Sequence, residues 1–186
     1  RFSPFFRWSF TMKREQIEAV LQKNLAVLQK NQPSFILTRD NENSFSQQPI
    51  PEDLGQVQNI VPIRRGQGGN IMELEITTTS GVYRVIKELN IRQLLKPINL
   101  IPDENPIEIY RHDNSVVTDF PILPSSFFYI DIIRDNNGNL SNVIFTGGGY
   151  GHGVGMSQYG VYGLSLLGKS HIEIIEHFYP GSKLES

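Results

Sequence analysis

A chain of 186 residues, 39% of them hydrophobic, is long enough for one domain with a real core and too apolar to be disordered. Its 17 basic and 19 acidic residues leave a formal net charge of −2, which gives no electrostatic footprint for nucleic acid and no basic run for a membrane-surface helix. The absence of cysteine excludes disulfides, thiolate chemistry and cysteine-ligated zinc, and no apolar run approaches the ~20 residues of a membrane span.

The chain opens at Arg1 in what reads as mid-domain sequence. The expectation is a single domain, 1–186, whose N-terminal part lies upstream. Phe5, Phe6, Trp8 and Phe10 form an aromatic cluster in a short extended segment. Thr11 is placed to cap a helix over about 12–30, in which Ile17, Val20, Leu21, Leu25 and Leu28 mark one apolar face. Residues 31–59 are rich in Asn, Gln, Pro, Ser and Asp without a clear period, and read as a long polar loop or insertion.

Beyond Ile60 the pattern changes. Met72, Leu74 and Ile76 alternate with Glu73 and Glu75, predicting a half-buried strand; Ser80-Gly81 turns the chain, and Val82–Ile86 returns. Leu89–Leu95 predicts a short helix that stops before Pro97. Ser126–Ile132 and Leu140–Thr146 predict a hairpin around Asp135-Asn136-Asn137-Gly138-Asn139, because Asn and Gly accept positive φ. Helices near Ser157–Leu167 and Ser170–Phe178 follow, the second with the Ser170/Glu173 spacing of a capping box. The fold class expected is α+β, with antiparallel strands, a few packed helices, and a glycine-rich loop between strand and helix.

That loop carries the chemistry. Gly147–Gly160 holds seven glycines in fourteen positions, an entropic cost that suits unusual backbone dihedrals or close approach to a ligand. Backbone N–H groups at the following helix start face the loop and suit an oxyanion or a sugar hydroxyl. His152, flanked by glycines, has little local cover and is free to point into a cleft. Ser157 and Gln158 offer hydroxyl and amide groups, and Tyr150 and Tyr159 offer ring faces for sugars. On chemistry alone the same residues also fit a tight connection, a helix cap, half-buried tyrosines and a structural histidine. Gly168-Lys169-Ser170 lies between two helices rather than after a strand, so it is no phosphate loop. His171 and His177 are six residues apart and do not share a helix face. No metal and no cofactor is expected.

Gly147–Gly160 with Gly163, Gly168-Lys169-Ser170, Glu173-Ile174-Ile175-Glu176-His177-Phe178-Tyr179-Pro180-Gly181-Ser182 and Leu184 resembles the end of the SpoIID/LytB family, whose pattern reads G-[RG]-G-[WY]-G-H-G-V-G-M-S-Q-[WY]-G and then G-K-[ST]-Y-x-E-I-L-x-H-Y-Y-P-G-T-x-L. Upstream, Phe6-Arg7-Trp8 before a helix, the hairpin at Gly81 and the helix Leu89–Leu95 follow the family's order more loosely. The resemblance implies an extracytoplasmic protein acting on peptidoglycan glycan strands, either as a lytic transglycosylase or as a wall-binding amidase enhancer with a cell-wall amidase as partner. It carries over Gly149, Tyr150, His152, Gly153, Gly155, Met156, Ser157, Gln158 and Tyr159 as substrate-binding residues, with His152 in a supporting role. The family's catalytic glutamate belongs to a V-V-x-x-E-M-P motif that does not occur in this chain. Glu104-Asn105-Pro106 sits in the wrong place to replace it. The acid is therefore expected outside the chain, with Asp131, Glu173 and Glu176 next in line should the chain cleave glycan unaided. A binding domain for another carbohydrate is the third reading.

Overall fold

The computed structural model describes residues 3–182, which form an α+β fold of two antiparallel five-stranded sheets with helices. In chain order the elements are β1 Trp8–Lys13, α1 Arg14–Asn31, β2 Ile36–Arg39, β3 Phe45–Ser46, β4 Val57–Arg65, β5 Ile71–Thr78, β6 Gly81–Ile86, α2 Glu88–Leu94, β7 Glu108–Arg111, β8 Val116–Thr118, β9 Phe128–Arg134, β10 Leu140–Gly147, α3 Gln158–Leu166 and α4 His171–Phe178. One sheet runs β8-β7-β1-β10-β9 and the other β3-β2-β6-β5-β4.

The core lies where α1 packs against strands of both sheets. Ile17, Val20, Leu21, Leu25 and Leu28 are all buried, the face that the three- and four-residue steps predict. Within the first sheet, Phe10 stacks on Phe145 at 4.7 Å between ring centroids, and Trp8 sits 6.0 Å from Phe10 and 6.3 Å from Phe128. These four rings are essentially inaccessible to solvent. Each inward strand residue alternates with an outward one, so the aromatic cluster of the N-terminal segment becomes the centre of a sheet.

Two local expectations differ from the structure. Thr11 lies within β1, and α1 starts at Arg14; the free N–H of Lys13 is taken by the Gln16 side-chain carbonyl at 3.0 Å. Residues 31–59 are polar and largely exposed, yet they hold a single 3-10 turn (Pro33–Phe35), β2, β3 and the start of β4. Ile36 supplies the buried anchor that pairs β2 with β6, and the Asp40 carboxylate accepts from the Glu42 and Ser44 N–H groups to close the β2–β3 turn. Strands of two to four residues hold too few buried positions to show a period in a polar composition. The same reason hides β7 and β8, in which Ile109 is the buried side chain. Leu184 lies outside the described residues.

Candidate functional site

The glycine-rich segment leaves the end of β10 and runs across the edge of the first sheet. Its start is fixed from several sides. Gly147 packs against the Trp8 indole so closely that an added Cβ would lie 2.5 Å from Cη2 and 2.7 Å from Cε2. Trp8 Nε1 donates to the Gly149 carbonyl at 3.1 Å, and the Gly149 N–H donates to the Phe5 carbonyl at 2.7 Å. On the other side, the Gly148 N–H donates to Phe127, the buried Ser125 hydroxyl donates to the Gly148 carbonyl at 2.7 Å, and the Gly151 N–H donates to Pro124 at 2.9 Å.

From there the backbone follows an alternating path. Gly149, Gly151, Gly153 and Gly155 have φ of +82°, +124°, +72° and +82°, with Tyr150, His152 and Val154 between them. An L side chain at each second position would be strained, which is the physical reason for the glycine density. At Gly153 space is also short: a Cβ would stand 2.6 Å from Cγ of Asn70, whose amide donates to the Ser126 hydroxyl at 3.0 Å. The far end is held by α3 and α4. Ser157 caps α3 by accepting from the Gly160 N–H at 3.1 Å, and the Met156 N–H donates to the Tyr179 hydroxyl at 3.1 Å.

The sequence-predicted residues fall together on this ribbon, but it is presented on open surface rather than enclosed in a cleft. His152 through Tyr159 are all exposed. Glycine neighbours supply no side-chain walls, and the surrounding elements leave these side chains uncovered. Tyr150 is 60% exposed yet oriented, stacked on Phe5 at 5.2 Å and edge-on to Phe120 at 6.1 Å. One hollow, of ≈ 370 Å³, lies elsewhere, between Arg14, Asn59, Thr77, Arg134 and Leu140.

The carboxylates are now placed. Asp131 is exposed on β9, and Glu176 is exposed on α4. Glu173 closes the capping box: its oxygens accept from the Lys169 ammonium at 2.7 Å, the Ser170 N–H at 2.8 Å and the Ser170 hydroxyl at 3.0 Å. The Lys169 contact, followed by the two Ser170 bonds, pulls its pKa down to about 2. A carboxyl that acidic is ionised at neutral pH and unfit as a general acid. Among the described residues no group of three or more His, Cys, Asp or Glu is arranged to hold a metal, and no helix is long and apolar enough to cross a membrane.

Sequence reasoning missed Asn70, Phe120, Ser125 and Ser126, which support the ribbon. Nothing in their local sequence marks them; they matter only because the fold brings the turn before β5, the segment 120–128 and the ribbon together.

An α+β scaffold carrying a pinned, surface-presented glycine ribbon is the class this geometry defines. Residues 98–155 match the model of a domain of unknown function, DUF8618. The chain is 40% identical over 58 residues to the amidase enhancer of Bacillus subtilis, covering 31% of this chain and 8% of that protein. It is 46% identical over 43 residues to stage II sporulation protein D of Bacillus amyloliquefaciens, covering 23% and 12%. An uncharacterized protein of Brachyspira hyodysenteriae is 36% identical over 86 residues, covering 46% and 21%. The matched stretches thus span about a fifth or less of the relatives' own lengths. No solved structure matches. Two of these similar proteins, the amidase enhancer and stage II sporulation protein D, carry the names of the SpoIID/LytB family that the glycine-rich motif resembles.

Proposed function

We propose that this chain is a peptidoglycan glycan-strand-binding module of the bacterial cell envelope, acting outside the cytoplasm. The observation that carries this reading is the ribbon itself. Its backbone is fixed at both ends, its glycines occupy φ values that cost other residues energy, and together with the first turn of α3 it offers Tyr150, His152, Gln158 and Tyr159 to solvent. Open, elongated surfaces with aromatic faces and amide groups suit a polymer of sugar rings better than a small enclosed ligand. Cleavage of the lytic transglycosylase type needs a protonated carboxyl beside the scissile oxygen. The capped Glu173 does not meet that need, and the V-V-x-x-E-M-P glutamate of the family that the motif resembles does not occur in this sequence, so cleavage is assigned to a glutamate outside this chain.

The test is mass spectrometry of denuded glycan strands incubated with the chain, looking for 1,6-anhydromuramyl ends, with binding to the same strands measured in parallel. Binding without anhydro ends is the expected result. Anhydro ends from the chain alone would overturn the external-acid assignment and send attention to Asp131 and Glu176. Absence of binding would overturn the function.

A specific observation favours a second reading, docking to a cell-wall amidase. α3 has no buried residue, Leu166 and Leu167 are 59% and 78% exposed, and Ile172 at the start of α4 is exposed as well. One relative is named an amidase enhancer. Stimulation of a purified amidase, lost in Leu166→Glu/Leu167→Glu, would establish this reading; an unchanged amidase rate with the wild-type chain would remove it.

A further inference from the structure

Near the ribbon, and outside the motif that defines it, stands an arginine that makes no close ion pair among the described residues. Arg111 ends β7 and lies opposite Trp8 in the β1–β7 register, one strand away from the residue that clamps Gly147 and Gly149. Its backbone is fixed by the turn to β8, where the Arg111 N–H donates to Ser115 at 2.9 Å. Its guanidinium lies 5.3 Å from the Phe5 ring centroid, and that ring stacks on Tyr150. Nε is buried without a hydrogen-bond partner, and the guanidinium makes no ion pair among the described residues. The carboxylates on the same hairpin make their hydrogen bonds elsewhere, Asp113 with the Ser115 N–H and hydroxyl and Glu108 with the Tyr110 hydroxyl, so Asp113 meets Arg111 only through the longer-range attraction that helps hold its carboxyl below the usual range. Arg111 as a whole is half-buried, so its guanidinium is partly desolvated, and a donor group in that state is normally paired.

We propose that Arg111 is an acid-recognising residue of the glycan site, pairing with a carboxylate substituent on a sugar whose ring packs against Tyr150. The proposal rests on the glycan-binding function above and adds to it a chemical preference. A guanidinium presents a planar fork that fits a carboxylate bidentately, and the adjoining Phe5–Tyr150–Phe120 cluster provides the apolar wall that strengthens such a pair. Neutral amino sugars would use the aromatic face without the fork. Amino sugars bearing an acidic ether arm would use both.

The experiment compares two oligosaccharides of equal length by isothermal titration of the whole chain. One is chitotetraose, which is neutral; the other is a peptide-free tetrasaccharide of alternating N-acetylglucosamine and N-acetylmuramic acid, which carries free carboxylates. The acidic ligand should bind tighter by about tenfold or more, the range of one charge-assisted hydrogen-bonded pair, and the advantage should shrink as salt rises. Arg111→Gln should erase the advantage while leaving chitotetraose affinity unchanged. Arg111→Lys should restore part of it. Arg7, an exposed cation near the ribbon, is the control, and Arg7→Gln should leave the preference intact. Equal affinity for the two ligands, or equal loss of both in Arg111→Gln, would overturn the proposal while leaving glycan binding standing. An equal effect of Arg7→Gln would reduce it to general surface charge and overturn it. Failure of both ligands to bind would overturn glycan binding and the proposal together.

Discussion

Gly147→Ala isolates one contact on which the ribbon depends. Gly147 closes β10, is buried, and lies outside the positive-φ region, so alanine meets no backbone penalty there. The penalty is steric. The new Cβ would stand 2.5 and 2.7 Å from Trp8 ring atoms, against ordinary carbon contacts of about 3.5–4.0 Å, so one side must move by about 1 Å. Trp8 cannot easily retreat, because it is 2% exposed, flanked by Phe10 and Phe128, and tied through Nε1 to Gly149. Overpacking of this kind costs about 1–3 kcal/mol. For a chain of this size that lowers the melting temperature by about 2–12 °C, at about 2–4 °C per kcal/mol. Urea unfolding followed by far-ultraviolet circular dichroism, a signal that does not depend on the single tryptophan, reads the cost directly. The second arm is Trp8→Phe, which removes the benzo-ring atoms that Cβ strikes. The double variant should be less destabilised than the sum of the two single variants, by about 1 kcal/mol. Stability within about 0.5 kcal/mol of wild type in Gly147→Ala, or strict additivity in the double variant, would refute the claim that indole and glycine are mutually fitted.

Gly153→Ala and Gly149→Ala separate strain from crowding: both pay about 1–2 kcal/mol for positive φ, but only Gly153 also meets Asn70, so glycan binding should fall further in Gly153→Ala. His152→Ala should weaken glycan binding while shifting the melting temperature by less than about 1 °C, because an exposed side chain contributes little to stability; a large loss of stability with binding intact would assign His152 a structural role. Ser170→Ala should speed amide hydrogen exchange in the first turn of α4, since caps of this kind are worth about 1 kcal/mol locally. The same turn should loosen in acid: Glu173 has a folded pKa of about 2 against the ordinary 4.5, so its contribution is complete above pH 4.5 and is lost as pH falls from there toward 2, measurable as exchange in α4 across that window.

Where a residue's role is local, the sequence reads well. The Ser170/Glu173 spacing gives the capping box, Asp135–Asn139 the β9–β10 hairpin, and the apolar steps of α1 its buried face. The glycine density also announces an unusual backbone, and four alternating positive-φ glycines supply it. What stays hidden is relational. β1 reads as an aromatic cluster leading to a helix, yet it pairs with β10 and β7 from more than a hundred residues away, and no local period encodes that partner. Arg111 lies in a hairpin whose strands have too few buried positions to show alternation. The openness of the ribbon is equally non-local: whether His152 faces a cleft depends on neighbours contributed by other elements.

This arrangement ties the ribbon's shape to the docking of the N-terminal strand. Phe5 and Trp8 provide a carbonyl, an indole N–H and two rings to residues 147–150, so the first strand acts as the template on which the ribbon is laid. Glycine-rich backbone left untethered would sample many conformations, and ordering it on binding would consume much of the contact energy. Tethering moves that cost into folding, where the core absorbs it. It follows that changes to the template should act on binding through preorganisation, in parallel with stability, whereas changes to Tyr150, His152 or Arg111 should act on binding while stability stays near wild type. Phe5→Ala and His152→Ala therefore make a diagnostic pair. If both weaken binding but only Phe5→Ala also raises hydrogen exchange at Gly149 and Gly151, the strand is the template; if exchange there is unchanged, the ribbon holds its shape by itself and the template argument fails.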